Sequence, residues 1–244
     1  MEAAKSGARA LPQVAMVGYA GLMSRILCLD TSGPHCSLAL SSGEQVFRYN
    51  EQLGRRHNEV VLNALDDLFE EARTTPAELD ALGFCAGPGS FTGVRIAAAI
   101  CQAIAYVADA KVLPIASDRA LYLTAKQQQA VTERCVVSIK SRAELFYVSV
   151  FEQGAAVQPP TLCDAPPAFS IEGTLLGERP PWWTGESAPL TSQVDAAALI
   201  AEVDAARVDD RLAAPDAALP MYFSGDSPWR PQRPTQVVSQ QESA

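Results

Sequence analysis

Residues Gly87–Val107, GPGSFTGVRIAAAICQAIAYV, decide the fold, and the strand-like run Ala81–Ala86 (ALGFCA) leads into them. Gly87, Pro88 and Gly89 cannot continue a strand and make a sharp turn. Ser90 or Thr92 can then cap a helix by accepting from a first-turn N–H, with Gly93 closing the turn. From Val94 to Val107 the only strongly polar side chains are Arg95 and Gln102, seven residues apart. That spacing is two helical turns with a drift of roughly 20°, so both share one narrow stripe. The rest of the circumference is apolar, whereas a helix lying on a sheet needs only one apolar face. Two readings stay open: a core helix covered wholly by its own chain, or one whose outer face meets a partner protein.

The 244 residues suffice for one large domain or for two lobes, each with a core. A net charge of −9, with no basic run, argues against unaided binding to a nucleic-acid backbone. The six cysteines (Cys28, Cys36, Cys85, Cys101, Cys135 and Cys163) lie mostly inside apolar runs and form no Cys-x-x-Cys pair. They read as reduced, buried thiols of a cytoplasmic protein. No stretch approaches the eighteen or so apolar residues that a membrane span requires.

Outward from the central helix, the chain opens with 1–23, read as a disordered extension or a start-site artefact, with translation starting at Met16 or Met23. A secretory signal there is interrupted by Pro12, Gln13 and two glycines. Arg25–Asp30, Cys36–Leu40 and Gln45–Asn50 are joined by turn residues and predict an antiparallel meander. A helix follows from His57 to Ala72, where Val61, Leu65, Leu68 and Ala72 keep helical spacing and Leu62 and Phe69 widen the stripe. Its other side is acidic and solvated.

Beyond the centre, Lys111–Ala116 is a strand whose Pro114 suggests an edge or an end. A helix capped by Ser117 or Asp118 runs to about Gln129. Arg134–Ile139 and Glu144–Phe151 pair around a polar turn, as the opening strands do, so the chain divides into two related lobes, 24–117 and 118–223. Gln158–Ala168, with four prolines, is extended, and Pro180–Gly185 is a short strand leaving a loop. A last helix opens at Ser192 or Asp195 and ends near Val208, and Leu219–Phe223 is extended. Residues 224–244 form a disordered tail.

Several chemistries are excluded. Gly87–Gly93 is followed by Val94-Arg95, so the lysine of a P-loop is missing. Ser90 has Thr92 rather than glycine at its second following position, so it is no nucleophile elbow. The two histidines, His35 and His57, have no local ligand partner; four residues after His57 stands Val61. No metal site and no catalytic residue are therefore assigned. Asp30, Thr31 and Ser32, between two strands, could hold a phosphate or a magnesium–phosphate group, or they could simply make a hairpin turn.

ILCLDTSGPHCSLAL, then His57-Asn58-Glu59 opening a helix, then GPGSFTGVRIA resembles the bacterial TsaB family, formerly YeaZ, from about Met23 to Phe223. The resemblance implies a two-lobed α/β fold of the actin-like ATPase and sugar-kinase (ASKHA) type, with mixed sheets flanked by helices. It implies a part in placing threonylcarbamoyl on the adenosine next to the anticodon of tRNAs that read codons beginning with A. Within that family the chain acts as a non-catalytic, activating partner of its paralogue TsaD, which carries a His-x-x-x-His metal site. Here His57 stands at the first of those positions and Val61 at the second.

The resemblance further implies that the helices matching His57–Ala72 and Ser90–Val107 pair with counterparts on TsaD, or on a second copy when TsaD is absent. His57, Val61, Leu65, Phe69, Arg95, Ala98, Ile100, Gln102 and Ala105 are the expected interface. The ATPase TsaE joins the pair and tRNA is reached through the complex. No cofactor of its own is expected, although ATP or ADP has a place in the complex. Two departures are Lys140-Ser141-Arg142, where the family carries Asp-Ala-Arg, and Tyr222-Phe223-Ser224, where it carries Tyr-Leu-Arg. The alternative is an ATPase or kinase of the same superfamily using the Asp30-Thr31 turn.

Overall fold

The computed structural model of the chain describes residues 13–15, 23–54, 56–128, 131–185 and 189–223. Its first sheet opens earlier than the sequence suggests. Gln13–Ala15 (β1), inside the stretch read as disorder, pairs antiparallel with a strand over 45–52, with Val14 opposite Phe47. Three residues broken by no alternation carry too little pattern to be read as a strand. The expectations for 1–12, 16–22 and 224–244 lie outside the described residues.

The expected meander forms as Ile26–Asp30 (β2), His35–Ser42 (β3) and Gln45–Gln52 (β4). His57–Glu71 (α1) follows, then Ala81–Gly87 (β5), Phe91–Ala108 (α2) and Lys111–Ala116 (β6). The sheet order is β1-β4-β3-β2-β5-β6, with β2, β5 and β6 mutually parallel. Pro114 lies in β6, the edge strand, where one lost ladder bond is tolerated.

Because successive side chains of a strand point to opposite faces, β2 feeds two cores. Leu27 and Leu29 join Leu38, Leu40, Leu82 and Phe84 beneath α1 and α2. Ile26 and Cys28 join Ala39, Cys85 and Ile115 on the other face.

That second face is covered by Ser117–Gln127 (α3) and by Ile200–Val208 (α4). Ser117 is the first residue of α3 and not its cap; Ala116 holds the cap position and offers no side-chain bond. Asp195 does cap, accepting from Ala197 N–H (3.0 Å) at the short 3-10 turn that runs into α4.

The second sheet holds Arg134–Arg142 (β7), Leu145–Glu152 (β8), Ala155–Cys163 (β9) and Thr174–Gly177 (β10) in the order β10-β7-β8-β9. β7, β8 and β9 form an antiparallel meander and β10 lies parallel to β7, repeating β5-β2-β3-β4 of the first sheet. The two lobes are thus the same device used twice. β9 takes Pro159 and Pro160 on the open edge, so the proline-rich stretch is a strand over its first part. The fourth strand is Thr174–Gly177, not the expected Pro180–Gly185. Trp182 and Trp183 in that later stretch pack against Val136, Phe146 and Val148.

The first sheet draws its strands from 13–116 and the second from 134–177, and the chain end crosses back to the first sheet. Residues 196–223 return to the first lobe: α4 packs on β2 and β5, Ala213 bridges Val112, and Met221 N–H donates to the Ala86 carbonyl (2.7 Å). Nothing in the local pattern of 196–223 announces that return, because the face it covers belongs to strands more than a hundred residues earlier.

Candidate functional site

Two places bear on function: the turn after β2 and the outer side of α1 and α2. At the turn, Asp30 Oδ1 accepts from Ser32 N–H (2.9 Å) and Ser32 Oγ–H (2.6 Å). Thr31 Oγ donates to the Gly93 carbonyl (2.7 Å), and Ser90 N–H donates to the Ser32 carbonyl (2.7 Å). The Gly87–Gly93 turn is therefore laid directly on the 30–32 turn. A Cβ on Gly93 would overlap the Thr31 carbonyl, and one on Gly89 would sit 2.5 Å from the Ser32 carbonyl oxygen. The glycines are there for this approach of two backbones, and Gly87 also has φ +123°, a value that favours glycine. Ser90 is the cap, its hydroxyl accepting from Gly93 N–H (3.3 Å). Thr92 is instead inside the first turn of α2.

Asp30 is buried, and burial raises its carboxyl above the ordinary value while the two Ser32 bonds oppose the rise. Asp30 and Thr31 are thus already engaged within the chain, as in a self-bonded turn. His57 is buried too, its Nε2 against the His35 carbonyl (3.1 Å), where it pins the start of α1 to the start of β3. Burial also pushes the Cys36 thiol up to about 12, and that of Cys85 well above its ordinary value, the behaviour of inert core thiols.

The expected interface residues fall on two sides of the helix pair. His57, Val61, Leu65 and Phe69 of α1, and Ala98 and Ala105 of α2, face the chain's own sheet and are buried. Arg95, Ile100 and Gln102 are half-buried. Arg95 donates to the Phe91 carbonyl (2.6 Å) and stacks over the Phe91 ring, while Gln102 donates to the Pro215 carbonyl (3.3 Å). Helical spacing identifies stripes, and on a helix apolar all round it does not say which stripe meets the sheet.

The outward surface is made by other residues. Leu62 is 61 % exposed, Tyr106 63 % and Val107 67 %. Ala99 and Ala103 are exposed between them, with Ile96, Ile100 and Ile104 half-buried at the margin. Among the described residues α2 is the one helix long and apolar enough to cross a membrane, which the sequence reading did not find. Here it covers β5 with one side and presents the other outward.

This duplicated two-lobed α/β frame, with a glycine-led helix set on the turn after its first long strand, has recognisable relatives. Residues 44–159 match the family described as TsaD: tRNA N6-adenosine threonylcarbamoyltransferase. The tRNA threonylcarbamoyladenosine biosynthesis protein TsaB of Haemophilus influenzae is 38% identical over 128 residues, 51% of this chain and 52% of that protein. TsaB of Escherichia coli is 30% identical over 129 residues, 53% of this chain and 55% of that protein. The chain thus spans about half the length of the curated relatives it matches. The solved structure of YeaZ from Pseudomonas aeruginosa aligns with a TM-score of 0.69 and 27% identity, over 82% of this chain and 100% of that one. Over these stretches the chain is similar to TsaB (YeaZ) proteins.

Proposed function

We propose that this protein serves tRNA threonylcarbamoyladenosine biosynthesis as a non-catalytic subunit that docks on a TsaD-type partner through the outward side of α1 and α2. The observation that carries the reading is the apolar strip of Leu62, Ala99, Ala103, Tyr106 and Val107, flanked by half-buried isoleucines. Exposed apolar side chains grouped on the outer side of a helix pair support an interaction site. The alanines let a partner helix approach closely, and the exposed tyrosine supplies the kind of anchor that dominates interfaces. A standard interface buries roughly 1,600 Å² in total, and the strip with its rim supplies one side of it. In the absence of TsaD the same strip pairs with a second copy. TsaE joins the assembled pair, and ATP or ADP binds only in that complex. The acidic balance of the chain fits a division of labour in which tRNA is held elsewhere.

The ATPase or kinase reading has less support, because Asp30 and Thr31 already spend their polar atoms on Ser32 and Gly93. The test is co-expression with the host's TsaD, followed by a tRNA modification assay. Ala103→Glu and Leu62→Asp place charge on exposed positions; they are expected to keep the native circular dichroism and to lose copurification and modification. Retention of the complex by both variants, or brisk modification of tRNA or hydrolysis of ATP by the chain alone, overturns the reading.

A further inference from the structure

Between the lobes lies a cleft whose lining includes Asp30, His35, Ser117, Ser138 and Glu178. Its cavity volume is about 50 Å³, or about 450 Å³ when all the space open to solvent is counted. A single water needs roughly 10–15 Å³, so the space between these two figures holds a small molecule of several non-hydrogen atoms.

Two hydroxyls lining it have no partner among the described residues: Ser117 Oγ at the start of α3 and Ser138 Oγ in β7, on residues 2% and 0% exposed. His35 Nδ1, also lining it, is buried and unpartnered as well. Buried polar atoms are paired in the great majority of cases, so three unpaired ones around a single recess point to something that pairs them.

Charge narrows the choice. Among the described residues lining the cleft, Asp30 and Glu178 are acidic and none is Lys or Arg. Burial lowers the pKa of His35, so its ring adds no positive charge near neutrality. A phosphate placed here would face the Glu178 carboxylate, and the described lining offers it no Lys or Arg. Leu121, Ile139 and Val194 provide apolar wall for a short carbon chain.

We propose that this cleft binds a small amino-alcohol, its hydroxyls on Ser117 and Ser138 and its ammonium toward Glu178. The cleft is lined by the turn after β2, by α3 and by the second sheet, and by none of the exposed residues of α1 and α2, so it stands or falls independently of the docking reading.

The test is calorimetric titration of the full chain with 2-amino-1,3-propanediol, alongside glycerol, which lacks the ammonium, and ATP. Saturable binding of the amine is expected, weakened about fivefold to tenfold by loss of one hydroxyl partner in Ser138→Ala or Ser117→Ala. Glycerol is expected to bind more weakly, and Glu178→Gln to weaken the amine but not glycerol. ATP is expected not to compete. Should either serine variant fail to fold, Glu178→Gln, at an exposed position, decides alone. Absence of saturable binding (water alone filling the recess), indifference to these substitutions in folded protein, or displacement by ATP overturns the proposal.

Discussion

Thr31 and Gly93 hold each other in place: a hydroxyl donates across to a carbonyl, and the glycine leaves room for the carbonyl beside it. Gly93→Ala forces a methyl group onto the backbone of Thr31, which cannot rotate away as a side chain could. Overpacking of this kind costs about 1–3 kcal/mol, and because backbone must yield, the upper end is expected. Gly33→Ala is the control, with nothing within 4 Å of the added Cβ, and should fall within about 0.5 kcal/mol of the parent. Urea denaturation of the two variants checks both figures.

Asp30 supplies a second residue-level prediction. Its folded-state pKa is raised above the ordinary 3.8, so between those values the folded chain binds more protons than the unfolded one. Its contribution to stability is therefore present in full below about pH 3.8 and lost as pH rises through the folded-state value. Asp30→Asn keeps an oxygen for Ser32 and cannot ionise. The stability of this variant minus that of the parent should grow from about pH 4 to about pH 7, as read from denaturation midpoints across that range. A difference that shrinks with rising pH contradicts the placement of this carboxyl.

At the scale of elements, α2 behaves as two surfaces on one rod. Ala98, 4 % exposed, belongs to the inner one. Ala98→Glu buries an unpaired charge and is expected to cost more than about 3 kcal/mol, so the soluble, folded yield should collapse. Ala103→Glu, one and a half turns further along, should leave the thermal midpoint within a few degrees. Thermal unfolding followed by circular dichroism separates the two.

The same contrast explains what could be read beforehand. The meander, α1 and α2 announce themselves through alternation, helical spacing and a glycine-led turn. The orientation of α2 does not, because an apolar residue next to a sheet and one next to solvent are spelled alike. Thr174–Gly177 is only four residues long and nearly all buried, so it has neither length nor alternation to show. β9 hides behind two prolines that an edge position forgives. At the Asp30 turn the residue types were visible from the start, but the Thr31–Gly93 contact joins positions 62 apart and only the folded chain reveals it.

For the whole molecule, the boundary drawn at 117 does not mark a unit that folds alone. Ile26, Cys28, Cys85 and Ile115 are covered by α3 and, from the far end of the chain, by α4. A fragment spanning 24–117 exposes that face. It is expected to bind a hydrophobic dye and to unfold without a sharp transition, whereas the full chain melts cooperatively. Dye fluorescence and a denaturant titration of the fragment against the intact protein check this. A cooperative transition in the fragment means that α4 is dispensable packing.

Arg119 joins the Gly154 carbonyl beyond β8 (2.8 Å) to Glu202 of α4 (3.0 Å), and one continuous apolar layer runs from Ile26 through Leu121 to Phe151. A jaw needs a seam along which it can part; this body has been riveted where such a seam would lie. Swinging the halves open would wet that layer and break the guanidinium's grip at the same stroke. Whatever meets the protein therefore encounters a preset wedge, and any shape change on contact has to come from the other side.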